Sequence, residues 1–200
     1  MTAPAGSSSP RLPPPQLDEE ASAGLRPYRL PGGEIIPLFA TLAHSPAALD
    51  DLKSATRYCI GRSSLDVRLR ELAILRVCVL CGAEAEWSTH VAMFADAAGL
   101  GGAELADVFR APAQGSWTPL ERLVLETADS LTREHSIDDA LWRSLQERLA
   151  PPEIVDLLMV TGQYLRVAVT TNALRLSPLP GTPRFSDIPG AADGYRGELT

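Results

Sequence analysis

The sequence holds only three cysteines, which cannot pair completely, so a disulfide-stapled secreted scaffold is not expected and a reducing cytoplasm is the expected setting. No uninterrupted apolar run is long enough to span a bilayer. The opening MTAPAGSSSPRLPPPQLDEE lacks the charged-then-apolar layout of a signal peptide. Positive charge is the scarcer sign: 18 Lys and Arg against 25 Asp and Glu leave a net charge of -7. That balance argues against a nucleic-acid partner, which needs clustered basic residues. A small anionic substrate remains compatible, since one or two local arginines suffice to hold it. Strand-like alternation and a fixed-period repeat are also missing.

What is present is a helical pattern between two proline-rich ends. At 200 residues, 45% hydrophobic and 22% charged, the chain suits one domain with a substantial core. Residues 1–33 carry Pro4, Pro10, Pro13, Pro14 and Pro15 with a serine run, and read as a flexible or extended arm. Residues 177–200 read likewise as a Pro/Gly-rich tail, leaving 34–176 as the helical domain.

Within that domain, Ser45-Pro46 opens a helix that Gly61 closes. Further helices are expected over about 66–81, 83–98 and 103–109. Thr118-Pro119-Leu120-Glu121 is a capping box opening a helix to about Glu134. Ser136 is expected to cap the next, and the last begins near Pro152. The fold class is all-α, with six or seven helices.

Cys78 and Cys81 form a C-x-x-C on the 66–81 helix. That helix is apolar almost all round, as buried helices are, and buried cysteine behaves as a small hydrophobe with a raised pKa. Both sulfurs lie near its C-terminal end, where the dipole disfavours thiolate. A zinc site lacks two further ligands, since no second C-x-x-C or H-x-x-x-H exists. The pair, like Cys59, reads as core. His44 and His135 suit capping or dipole roles.

Glu86 and His90 stand at i and i+4, on one helix face and within reach of each other. A carboxylate beside an imidazole fixes its tautomer and favours the imidazolium, a group that takes and gives a proton near neutrality. Glu71 is the odd residue of the buried helix, and a carboxylate there must be paired or stay protonated. The plainer alternatives are a solvated Glu86–His90 pair and a Glu71 that partners Arg70 or Arg76. Glu71, Glu86 and His90 are also suitable metal-ligand types, though too few for a complete set; no metal is expected.

The stretch Arg70–Leu100 resembles the carboxymuconolactone decarboxylase family, which includes the alkyl hydroperoxidase D-like proteins. The marks are R-E-L-x-I-L-R-V from Arg70, E-W-x-x-H-V from Glu86 and A-G-L ending at Leu100. The later GQYLRVAVTTNAL, Gly162–Leu174, is similar to the last helix of longer members. The resemblance implies a compact all-helical bundle that forms a homo-oligomer, as a dimer, trimer or hexamer.

Redox members carry an upstream Glu and then C-x-x-C-x-x-x-H. Laid on this chain, those positions fall on Glu71, Ala83, Glu86 and His90, while Cys78 and Cys81 sit five residues early. The departure moves the chain from thiol peroxidase activity towards the decarboxylase-type branch. There, acid–base side chains act without a cofactor on a small cyclic or unsaturated acid, lactone or ketone. His90 is then the acid/base, Glu86 its orienting partner and Glu71 a second acid. Trp87 and Tyr164 are candidates for an aromatic wall and a hydroxyl in the substrate pocket, or else for core packing. A displaced thiol peroxidase and a non-catalytic oligomeric binding protein are the competing functions.

Overall fold

The computed structural model describes residues 9–191; the parts of both expected arms at 1–8 and 192–200 lie outside them. Among the described residues the chain is all-α, with nine α-helices and no strand beyond an isolated bridge between Arg29 and Ile35. The helices are α1 (Glu19–Gly24), α2 (Pro37–Leu42), α3 (Pro46–Gly61), α4 (Val67–Leu80), α5 (Glu84–Phe94), α6 (Gly102–Asp107), α7 (Pro119–Glu134), α8 (Asp139–Arg148) and α9 (Pro151–Leu174). Three short 3-10 turns cover Arg26–Tyr28, Pro112–Gln114 and Phe185–Asp187. No helix among the described residues is long and apolar enough to cross a membrane.

Helix α4 is the centre. It packs on α7, α9 and α5, and every residue from Leu69 to Val79 is buried. With no polar face to turn outward, such a helix is stable only when surrounded. Its three charged residues in that run are therefore each tied down. Arg76, fully buried, makes a two-pronged bond to Asp129 of α7, Nε to Oδ1 at 2.5 Å and Nη2 to Oδ2 at 2.8 Å. Its Nη1 donates to the carbonyls of Val108 and Arg110 at 2.8 and 2.9 Å. One side chain thus fixes α7 and the α6 exit against the centre. Near the start of α4, Arg68 pairs with Glu121 and donates to the Gly99 carbonyl at 2.6 Å, which holds the end of the α5 segment.

The turn from α4 into α5 sets the site. Gly82 has φ +63; its N–H bonds the Val79 carbonyl at 3.1 Å, and the Ala83 N–H bonds that of Cys78 at 2.8 Å. These are the two bonds of a Schellman stop, which needs a left-handed residue that glycine adopts without strain. The reversal lays α5 back along α4.

The Thr118–Glu121 capping box forms as expected, with Thr118 N–H donating to Glu121 at 2.8 Å. Elsewhere the caps differ from the sequence reading. Asp138, not Ser136, caps α8, accepting from Leu141 N–H at 2.8 Å; the Ser136 carbonyl instead accepts from Ser130. Ser45 holds the cap position of α3 without a side-chain capping bond.

The two helices beyond the expected count are α1 and α2, both before α3. Asp18 caps α1 through Ala21 N–H at 2.8 Å, and Pro37 starts α2. The flexible-arm expectation for residues up to 33 gives way, around 25–30, to packed chain, while residues 9–24 hold no buried residue. Leu25, Tyr28 and Leu30 are buried, and Tyr28 stacks on Phe39 with centroids 4.2 Å apart. The apolar residues between the prolines supply the burial that composition alone concealed. The tail is anchored too: Phe185 packs edge-on against Trp87 and Phe109, and its N–H donates to Glu84 at 2.8 Å.

The Gly82 turn has a direct test in chemical denaturation. Gly82→Ala is expected to lower stability by about 1–2 kcal/mol, because alanine is strained at a left-handed φ. Gly61→Ala, at an open position without positive φ, is expected to be neutral or slightly stabilising.

Candidate active site

The hairpin of α4 and α5 brings Glu71 and His90 together, both almost fully buried. Glu71 Oε2 lies 2.7 Å from His90 Nδ1, while its Oε1 accepts from Arg70 Nε and Nη2, each at 2.9 Å. Arg70 is itself held by the Ile60 carbonyl at 3.1 Å and lies over the Phe94 ring. The other imidazole edge, Nε2, faces Glu86 Oε1 at 3.5 Å. The order Arg70, Glu71, His90, Glu86 alternates in sign.

The expected roles of the two carboxylates exchange. The i,i+4 spacing assigned Glu86 to orient the imidazole, but the tight bond comes from Glu71 across the hairpin. Glu86 is the longer contact and lies in a cavity wall. The spacing rule finds neighbours on one helix, whereas the shorter distance here is set by how two helices meet.

Burial opposes charge on His90, but the Glu71 carboxylate and then Glu86 outweigh it and raise the pKa from 6.5 to about 9. At neutral pH the ring is an imidazolium, with Nδ1–H given to Glu71 and Nε2–H directed to the Glu86 side. Tyr164 of α9 packs edge-on to it with centroids 4.8 Å apart. Burial, then Glu86 and Glu71, hold the Tyr164 phenol well above its ordinary pKa, so it stays a neutral donor.

A cavity of about 360 Å³ opens beside this group. Glu86, His90, Tyr164 and Gln163 form its polar end. Met93 and Phe94 from α5, Leu52, Thr56, Arg57 and Ile60 from α3, and Tyr28, Ile36, Leu38 and Phe39 from the N-terminal segment form much of the rest. Glu71 stands behind His90, outside the wall.

Of the two readings of Trp87, the structure places it in the core and not in the cavity wall. It is fully buried and packs edge-on against Phe109 and Phe185. One residue on from Glu86 is roughly a quarter turn round the helix, enough to carry it to another face. Sequence reasoning missed the N-terminal segment and Gln163, and did not rank Arg57 above the other arginines of α3 and α4. Met93 and Phe94, three and four residues past His90, were findable from helix periodicity.

The cysteines do not join the site. Cys78 is fully buried and its thiol is pushed well above the ordinary value, by burial first and then Glu86. Burial raises Cys81 as well, and Cys59 to about 11. All three are free thiols. Among the described residues no group of three or more His, Cys, Asp or Glu side chains is arranged to hold a metal ion.

The fold is that of the alkyl hydroperoxidase D-like helical proteins. A peroxidase-related protein from Silicibacter sp., described as uncharacterized, superposes with TM-score 0.73 at 18% identity, covering 88% of this chain and 96% of that one. An alkylhydroperoxidase AhpD core protein from Ralstonia eutropha, also described as uncharacterized and peroxidase-related, gives 0.64 at 17% identity, covering 86% and 93%. Residues 44–130, the segment carrying Glu71, Glu86 and His90, match the model of the Carboxymuconolactone decarboxylase family. No curated protein matches the sequence.

Two measurements check this site. Because the folded pKa of His90 is raised, its contribution to stability is complete below pH 6.5 and is lost as pH rises through about 9. Urea denaturation is expected to show wild-type protein losing on the order of 3 kcal/mol more than His90→Gln over that interval. In native protein, a thiol reagent followed by mass spectrometry is expected to leave Cys78 unlabelled until denaturant is added.

Proposed function

We propose that the chain is a cofactor-independent acid–base enzyme acting on a small cyclic or unsaturated acid, lactone or ketone. The reaction class is decarboxylation, isomerisation or a related proton transfer. The observation that carries this reading is an imidazolium clamped by Glu71 on one edge, with its other edge beside Glu86 in the wall of a mostly apolar cavity.

In a decarboxylation the bond to the leaving carboxylate breaks, and its electron pair enters the substrate's conjugated carbonyl. His90 Nε2–H then delivers a proton to carbon. In an isomerisation Glu86 removes the first proton and His90 returns one at the new position. Tyr164 donates to the carbonyl oxygen as negative charge develops there, where a dry wall strengthens the bond. Glu71 touches no substrate; it holds the ring orientation and its charge.

The peroxidase wording attached to the solved relatives has less support in this chain. The family's thiol positions hold Ala83 and Glu86, and Cys78 lies in the core. For the homo-oligomer that the resemblance implies, the face on offer is the exposed stripe of Val155, Met159 and Val169 on α9.

Proton NMR in D2O with a panel of unsaturated lactones, cyclic enones and their carboxylated forms tests the reading. Wild-type protein is expected to incorporate deuterium into, or release CO2 from, at least one compound. Folded His90→Gln and Glu86→Gln are expected to be slower by about a hundredfold or more. The rate is expected to fall as pH rises through about 9, where His90 loses its acidic proton. Glu71→Gln, by removing the strongest attraction on the imidazolium, moves that fall to lower pH. Exchange at the wild-type rate in folded His90→Gln sinks the proposal.

A further inference from the structure

Five arginines lie on or between α3 and α4, and the structure separates them by what already holds their charge. Arg68 is paired with Glu121, Arg70 with Glu71 and Arg76 with Asp129. Arg62 follows the end of α3 and is not part of the cavity wall. Arg57 is in that wall, and among the described residues no carboxylate pairs with it. Its one hydrogen bond is a long one, from Nη1 to the Tyr28 hydroxyl at 3.5 Å. The hydroxyl in turn reaches only the Lys53 carbonyl, also at 3.5 Å. The α3 run from Lys53 to Gly61 contains no Asp or Glu, so no acid one turn away on the helix neutralises the guanidinium.

The charge balance of the cavity follows. At the polar end, Arg70 and imidazolium His90 offset Glu71 and Glu86. Arg57, on α3, is the remaining ionised group in the wall; it is exposed to solvent, and the rest of the lining is chiefly apolar. Arg57 offers a ligand anion a partner that no protein carboxylate occupies, whereas a second negative charge deeper in the cavity would lie against apolar side chains without a partner. A single carboxylate meets both conditions, and a guanidinium holds it through two parallel N–H donors.

We propose that Arg57 is the anion anchor of this site and that the cavity takes a small monocarboxylate with an apolar body. Its carboxylate lies at Arg57 and its reacting carbon points to His90. The Tyr28 hydroxyl, released from its long contact, is the second donor to the carboxylate. The proposal rests on the acid–base reading of His90 for calling this ligand a substrate. It also holds the ligand's one carboxylate at Arg57, away from the reacting carbon, so of the reactions in that reading isomerisation or proton exchange of a monoacid is a closer fit than decarboxylation.

Calorimetric titration of the full chain with cyclohex-1-enecarboxylate and benzoate, against their carboxamides, tests it. Wild-type protein is expected to favour each carboxylate over its amide. Arg57→Gln is expected to weaken carboxylate binding by about tenfold to a hundredfold while leaving the amides unchanged. Arg57→Lys should retain part of the preference, and Arg62→Gln all of it. His90→Gln, with the anchor intact, should keep the preference while losing deuterium exchange. That combination separates the two ideas: exchange that depends on His90 with binding indifferent to Arg57 overturns the anchor alone. Carboxylate preference lost in Arg57→Gln with exchange indifferent to His90 upholds the anchor and overturns the acid–base reading. Carboxylates that bind no better than carboxamides, including not at all, overturn the anchor.

Discussion

A carboxylate cannot be buried unpaired without a large cost, and Glu71 sits 1% exposed in the middle of the most enclosed helix of the fold. Arg70 answers one of its oxygens and His90 the other. The second of these bonds exists only because the Gly82 turn sends α5 back along α4. The requirement to satisfy Glu71 therefore fixes the imidazole in position, sets which nitrogen faces the cavity and raises the ring's pKa to about 9. A structural necessity of the core and the chemical character of the site come from the same contact.

The same logic separates the charged residues of α4 by task. Arg76 and Arg68 spend their donors on α7 and on loop carbonyls, and so hold the bundle together. Arg70 spends its donors on Glu71 and Ile60, and so holds the site. The redox proteins that the sequence resembles carry thiols where Ala83 and Glu86 stand. With a carboxylate at 86 instead, the second imidazole edge meets an acceptor.

Much of this was legible in the sequence. The caps at Thr118, the proline starts of α3 and α7 and the all-round apolar α4 follow from local rules, and local rules survive folding. The demotion of Cys78 followed from the same apolar surroundings. What local rules cannot supply is distance between elements. The nearer carboxylate of His90 is on another helix, Trp87 faces away from the cavity by a single residue's rotation, and Arg57 stands out only once its sister arginines are seen to be engaged. The packed N-terminal segment was hidden for a different reason: its prolines dominate the composition, while the few apolar residues between them do the packing.

The cavity draws its walls from two sources. Glu71, Glu86 and His90 lie within residues 44–130, the stretch that carries the family pattern. Tyr28, Ile36, Leu38 and Phe39 precede it, and Gln163, Tyr164 and Val167 follow it. The buried Glu71–His90 pair and much of the cavity surface beside it are thus encoded in different parts of the chain. Changes in the flanks can reshape the cavity while leaving the Glu71–His90 contact in place, so two chains sharing the central pattern can enclose quite different spaces.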